Sequence, residues 1–168
     1  MKAGRCVGLG AGGHCIPVDP VYLQVEARRI GAASSLLDAA LRANSDRAEV
    51  VAAHIAAHYG GALGGRHILV AGVCYKPEVA DIRCSAAVRL LRVLAAAGAA
   101  VCWHDPVIGE APAELFAVPR CASLSERFDA VVLGVPHRAF TPAALAGAAP
   151  LVFDPFGVLP RGVGVVSV

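Results

Sequence analysis

The apolar residues follow two different rhythms. Between Asp19 and Tyr59 they recur at steps of three and four, and after Arg66 they come in short unbroken runs. The first rhythm is that of amphipathic helices, and the second that of strands buried on both faces. A first helix is predicted from about Asp19 to Ile30, with Pro20 in its first turn and Gly31 as its stop. A second begins near Ser34 or Ser35, with Asp38 placed like the acid of a capping box. Its apolar line runs Leu37, Leu41, Ala48, Val51, Ile55 and Tyr59, and Asn44 falls in the same seam. That is one face of a continuous helix of about six turns. So long a helix on so short a chain needs something to pack against, and a second subunit is one candidate.

Gly60 to Gly65 reads as a linker. The remainder alternates in the order β-α-β-α-β-α-β. Strands are predicted at His67 to Val73, Ala100 to His104, Ala130 to Val135 and Leu151 to Phe153. A helix is predicted from Cys84 to Ala97, with Ala87, Leu90, Leu91, Leu94 and Ala95 on one face and Gly98 ending it. This alternation implies an α/β fold with a parallel sheet covered on both faces. Ligands of such sheets bind beyond the carboxyl ends of the strands. The loops of interest are therefore Cys74 to Arg83, Asp105 to Gly109, Pro136 to Thr141 and Asp154 to Val158.

Composition narrows the functional classes. The 168 residues are 57% hydrophobic and 17% charged, which excludes a disordered chain. A net charge of +2, scattered along the chain, gives no footprint for nucleic acid or an anionic membrane. There is no long uncharged apolar stretch and no signal-like start, so a cytoplasmic protein is expected. None of the six cysteines is spaced C-x-x-C, so neither a structural zinc site nor any other metal is expected, and a disulfide framework is unnecessary.

Two patterns are set aside. Gly8 to Gly13 matches G-x-G-x-x-G, but too little chain precedes it for a strand, and Pro17 and Pro20 prevent a helix from opening at the glycines. The glycines are expected instead to let the backbone approach a ligand or a neighbouring strand closely. His54 and His58 have metal-ligand spacing without the intervening glutamate, and read as residues of a solvated helix face.

Three segments carry chemistry. In Gly12-Gly13-His14-Cys15-Ile16-Pro17-Val18-Asp19-Pro20, a thiol stands on a loop just ahead of a helix. There it is either a nucleophile favoured by the positive helix end or an inert buried thiol. In the loop after the first strand, Lys76, Asp81 and Arg83 gather at the expected ligand edge. They suit a phosphate-bearing ligand, or else Asp81 and Arg83 form a surface pair of little energetic weight. His104-Asp105-Pro106 ends the second strand, where Asp105 is expected to cap the following turn.

Taken together, Gly-Gly-His-Cys-Ile-Pro-Val-Asp-Pro, then Tyr-Lys-Pro-x-x-x-Asp-Ile-Arg-x-Ser, then His-Asp-Pro resemble the nucleotide-sugar dehydrogenases of the UDP-glucose/GDP-mannose 6-dehydrogenase superfamily. The wording around Cys15 is most similar to the UDP-N-acetylmannosamine and UDP-N-acetylglucosamine branch. The resemblance implies NAD-dependent oxidation of the C6 alcohol of a UDP-sugar to a carboxylate. It implies Cys15 as the nucleophile, through a thiohemiacetal and a thioester that water hydrolyses. It makes Asp19 a supporting site acid, Gly12 and Lys76 substrate contacts, and Arg83 a cofactor contact. It assigns residues 1–60 to the end of a central dimerisation domain and 61–168 to a Rossmann-like UDP-binding domain.

The departures are as informative. The family's amino-terminal Rossmann domain, and the catalytic Lys and Asn of its central helix, precede the part matched here. The chain is therefore expected to show no NAD-dependent turnover alone, and to act as a homodimer or with a missing amino-terminal half. Val18 stands where many members have a cofactor-contacting Lys, Cys84 replaces a Glu, and the stretch Phe153 to Leu159 has Phe where many have an Arg. Met1 to Arg5 also departs from the family's approach to the loop. The alternative is a non-catalytic nucleotide-sugar-binding or dimerisation module.

Overall fold

The computed structural model describes residues 8–32, 34–115, 117–162 and 164–168. Three helices come first: α1 (Asp19–Arg29), α2 (Ser35–Ser45) and α3 (Arg47–Ala57). The α/β part follows as β1 (His67–Ala71), α4 (Ala86–Ala96), β2 (Ala100–His104), a 3-10 turn at Ala113–Leu115, β3 (Ala130–Leu133), α5 (Pro142–Ala148), β4 (Leu151–Asp154) and β5 (Val165–Ser167). The five strands among the described residues are all parallel, in the order β2-β1-β3-β4-β5. The chain reverses its direction of travel between β1 and β3, which makes that junction the topological switch point.

The unbroken apolar runs have the expected consequence. Ile68, Val70, Ala130 and Val132 pack on one face with Val51 and Ile55 of α3 and Leu90, Leu91 and Leu94 of α4. The alternate residues Leu69, Ala71, Val131 and Leu133 pack on the other with Leu145 and Ala148 of α5. Period-two alternation thus feeds two cores from the same strands. Ser85 caps α4 by accepting a hydrogen bond from Val88 N, and also donates to the carbonyl of Cys74. The Gly-rich linker is packed rather than free, since Leu63 within it is buried.

Several expectations need correction. The six-turn helix is interrupted at Asp46, which ends α2 and starts α3. Asn44, Ser45 and Asp46 are residues whose side chains compete with helical backbone bonding. The α3 half of the seam finds its partner within the chain, since Ala48, Val51 and Ile55 pack on α4, whereas Leu37 and Leu41 on the α2 half stay partly exposed. Asp38 is not a capping-box acid. Ser34 alone caps α2, and Asp38 instead accepts from Gln24 and Arg28 of α1. Ala95 is exposed rather than on the buried face of α4. No α-helix joins β2 to β3 among the described residues, because Pro106, Gly109, Pro112 and Pro119 interrupt that stretch. The short strand β5 extends the sheet beyond the expected four. None of the helices is long and apolar enough to cross a membrane among the described residues.

Candidate functional site

The segment from Gly8 to Val18 has no regular secondary structure, so its position depends on bonds to other parts of the chain. Gly8 N donates to the carbonyl of Pro155 at 3.0 Å, and Gly13 N to that of Arg83 at 3.0 Å. Leu9 is buried between these anchors. The close approach expected of the glycines is met at Gly12 and Gly13. A Cβ on Gly12 would lie 2.7 Å from the carbonyl oxygen of Cys84, and one on Gly13, whose φ is +93°, would lie 2.8 Å from the Tyr75 ring. The neighbour approached is the loop after β1.

Cys15 is exposed, with His14 Nδ1 3.5 Å from its Sγ. Its carbonyl accepts from Val18 N and Asp19 N, which ties the thiol's loop to the first turn of α1. Asp19 is exposed in that turn. Arg83 is bound to Asp81 through Nε and Nη2, at 2.9 and 2.5 Å, and holds the Asp81 carboxyl below the usual carboxylate range. The surface pair is therefore present, and it lies within electrostatic range of Cys15 and His14. Lys76 is exposed, with Nζ 5.4 Å from the centre of the Tyr75 ring.

Two cavities meet at this segment. An open cleft of about 1160 Å³ is bordered by His14, Pro17 and Val18 on one side and by Arg83, Cys84 and Arg89 on the other. A smaller cavity of about 80 Å³ lies at the switch point, between Lys76 and Pro77 after β1 and Gly134 to Pro136 after β3. The run from Leu9 to Gly13 forms the partition between them. Phe156 lines the smaller cavity, and its ring lies 2.9 Å from where a Cβ on Gly8 would stand. Arg83 and His14 thus face the larger space and Lys76 the smaller one. Gly12, Cys15 and Asp19 line neither cavity: Gly12 lies within the partition, and Cys15 and Asp19 follow it toward and into α1.

The sequence reading missed a buried staple beneath Lys76. Asp105 does cap its turn, with Oδ1 accepting from Val107 N at 3.0 Å. Its Oδ2 also accepts from Val73 N at 2.7 Å, Cys74 N at 3.2 Å and His137 Nε2 at 3.1 Å. His137 Nδ1 in turn accepts from Glu78 N at 3.0 Å, and Glu78 Oε1 accepts from Arg138 N at 2.8 Å. Because Nδ1 accepts a backbone N–H, the ring proton sits on Nε2. Burial by itself pushes the Asp105 carboxyl up. The bonds from His137 and the backbone amides outweigh burial and hold it well below its ordinary value. The loops after β1, β2 and β3 are thereby joined, with Glu78 held at φ +63°. A histidine just past the third strand was the available signal, since that loop lies on the ligand edge.

Donor atoms of Cys74, Asp105 and His137 lie within 4.8 Å of one another. Their chemistry does not favour a metal. Both imidazole nitrogens and both carboxylate oxygens are engaged, and burial, reinforced by Asp105, pushes the Cys74 thiol up to about 12. A metal ligand set would need the thiolate and an imidazole lone pair. Nor does the Gly8 to Gly13 run fit a dinucleotide's phosphates. Gly8, Gly10 and Gly13 are packed against Phe156, Asn44 and Tyr75, and do not open as a row of amides at a helix start.

Residues 69–161 match the UDP-binding domain of the UDP-glucose/GDP-mannose dehydrogenase family, and residues 5–46 match the central domain of that family. A UDP-glucose 6-dehydrogenase from Haloferax volcanii is 37% identical over 109 residues, which are 65% of this chain and 25% of that protein. A UDP-N-acetyl-D-glucosamine 6-dehydrogenase from Salmonella typhi is 28% identical over 134 residues, covering 77% of this chain and 32% of the other. The structure of a UDP-glucose dehydrogenase from Pyrobaculum islandicum superposes with a TM-score of 0.76 at 27% identity, covering 95% of this chain and 39% of that one. The chain thus spans a quarter to a third of the length of these curated relatives. With the parallel sheet, the switch-point cavity and both domain matches in the expected order, the chain belongs to the UDP-glucose/GDP-mannose dehydrogenase family.

Proposed function

We propose that this chain supplies the UDP-binding and thiol-bearing part of a UDP-sugar 6-dehydrogenase. The observation that carries the reading is the seating of Gly12 and Gly13 on Tyr75 and Arg83. It sets the Cys15 loop directly against the loop of a UDP-binding domain. In this reading Lys76 holds the diphosphate and the backbone at Gly12 approaches the sugar. The Cys15 thiolate adds to the C6 aldehyde carbon, with the aldehyde oxygen taking up a proton to complete a thiohemiacetal. Water, aided by Asp19, later hydrolyses the thioester and returns the thiol. The oxidations on either side of the addition each remove a hydride, and NAD is the acceptor implied. Arg83 would contact that cofactor from the far wall of the cleft. The packing of Gly8, Gly10 and Gly13 against Phe156, Asn44 and Tyr75 supports an acceptor held by another segment or chain, and the isolated polypeptide is expected to be inactive. Residues 1–60 act as the thiol-bearing, subunit-pairing unit, 61–168 as the UDP-binding unit, and the assembly works in the cytoplasm.

Isothermal titration of the purified chain with UDP tests the reading. Binding is expected, and Lys76→Ala should weaken it about tenfold or more by removing a charge-assisted contact. Absence of heat with UDP and with UDP-sugars would overturn it. NADH formation by the chain alone would overturn the claim that it lacks the acceptor site. A dimerisation module that binds sugar nucleotides without chemistry is the second reading, favoured by the exposed Tyr22, Leu23 and Val25 of α1. It is separated from the first by whether a hydride-acceptor partner restores turnover.

A further inference from the structure

The thiol-bearing loop is anchored to the α/β part at Gly8 and Gly13, and Ala11 between them is held from the opposite side. Asn44, in the last turn of α2, accepts Ala11 N–H through Oδ1 at 2.6 Å and donates from Nδ2 to the Ala11 carbonyl at 3.1 Å. These two bonds satisfy both backbone groups of one residue, as an exchanged pair does between strands. A single planar amide offers one acceptor and one donor at this spacing. Aspartate lacks the donor, and glutamine carries its amide one methylene farther out. The contact also accounts for Gly10. Its φ is +119°, and a Cβ there would lie 3.0 Å from Asn44 Oδ1 and 3.4 Å from the Asn44 carbonyl oxygen.

Arg47 extends the grip. It lies three residues on, across the interruption at Asp46, and donates Nε to the Gly8 carbonyl at 2.8 Å and Nη2 to that of Val168 at 3.1 Å. Both side chains reach the same loop, so the end of α2 and the start of α3 together hold one side of it. Beyond Ala11 the next fixed points are Gly13, through Arg83, and the Cys15 carbonyl, through α1.

We propose that Asn44 is a positioning residue that sets the Cys15 thiol against a bound UDP-sugar. It touches no reacting atom and acts through Ala11. The proposal rests on the functional reading above for its ligand, whereas the clamp rests on geometry alone.

The test uses the full chain and two readouts. The first is amide hydrogen exchange over residues 10–16. Asn44→Ala is expected to raise it about tenfold, and Asn44→Asp, which keeps the acceptor for Ala11 N–H, to raise it less. Ile55→Val loosens the core of α3 without touching the loop, and serves as the control for general destabilisation. The second readout is the split between binding and thiol placement. Asn44→Ala should leave the Kd for UDP within about twofold, yet lose at least fivefold of the protection that a saturating UDP-sugar gives Cys15 against iodoacetamide. Should Asn44→Ala fail to fold, Gly10→Ala drives the loop from the same contact and is expected to show both effects. Loop exchange no greater than in Ile55→Val, or protection falling only in step with UDP affinity, would overturn the proposal. A wild-type chain that binds no UDP-sugar would overturn the functional reading instead, and the exchange data would still decide the clamp.

Discussion

The arm formed by α1 and α2 and the sheet with its covering helices are built on opposite principles. Neither α1 nor α2 contains a buried residue, and Tyr22 and Leu36 are 69% and 80% exposed. Strand β3 is buried at every position, and α4 buries five of its eleven residues. Burial is the dominant stabilising term in folding, so the sheet region can hold itself while the arm depends on what it is tied to. Its side-chain ties are specific: Gln24 and Arg28 join Asp38 within the arm, while Asn44 reaches Ala11 of the thiol-bearing loop and Ser45 accepts from Arg89 of α4. Cys15 lies on the boundary between the two regimes. Its placement is therefore a matter of hydrogen bonds, while the Lys76 loop is seated on the core.

Substitutions should separate the two regions sharply. Leu91→Ala, at the centre of the α3–α4 packing, should cost about 2–5 kcal/mol of unfolding free energy by urea titration. His137→Ala should cost less, about 1–3 kcal/mol, because it leaves Asp105 and Glu78 N without their partner. Its damage should fall on the loops after β1 and β3, seen as weaker UDP binding. Ser85→Ala should cost about 1 kcal/mol through the lost cap of α4. Leu23→Ser on α1 should shift stability by no more than about 0.5 kcal/mol in a monomer. A much larger effect at Leu23, dependent on protein concentration, would show that the arm is covered by a second copy in solution.

The pH dependence sharpens the same contrast, because the strongly shifted groups lie in the sheet region. Asp105 has a folded pKa below its unfolded value of about 4, so its contribution is present above that pH and is lost as pH falls further. Replacement by Asn should flatten the acid limb of a stability–pH curve. Cys74 has the opposite sign. Its folded pKa of about 12 exceeds the unfolded value near 9, so its contribution is present below pH 9 and is lost as pH rises toward 12. Cys74→Ala should remove part of that alkaline loss, measured as the difference from wild type between about pH 9 and pH 11.

Legibility in the sequence followed the range of the interaction. Strands β1 to β4 and helices α1 and α4 were readable because apolar periodicity is local, and Ala100 to His104 was placed to the residue. The interruption at Asp46 was missed because periodicity carries across a one-residue break. Strand β5 was missed because three residues are too few to show a pattern. The motifs bearing Gly12, Cys15 and Lys76 stood out as local arrangements. That these segments serve one ligand followed only from the resemblance, and the seating of Gly13 on the Tyr75 ring, some sixty positions away, is a contact that no local spacing reports. The His137–Asp105 staple and the Asn44 clamp span 32 and 33 residues, and no local rule reports such bonds.

The central claim is that the thiol of one region and the lysine of the other serve the same ligand. Its most direct test is the rate at which iodoacetamide modifies the exposed Cys15, followed by peptide mass spectrometry with and without saturating UDP-sugar, using an added cysteine peptide as internal reference. Selective slowing at Cys15, abolished by Lys76→Ala, is the expected result. Equal rates at Cys15 with and without a UDP-sugar that demonstrably binds would contradict the account.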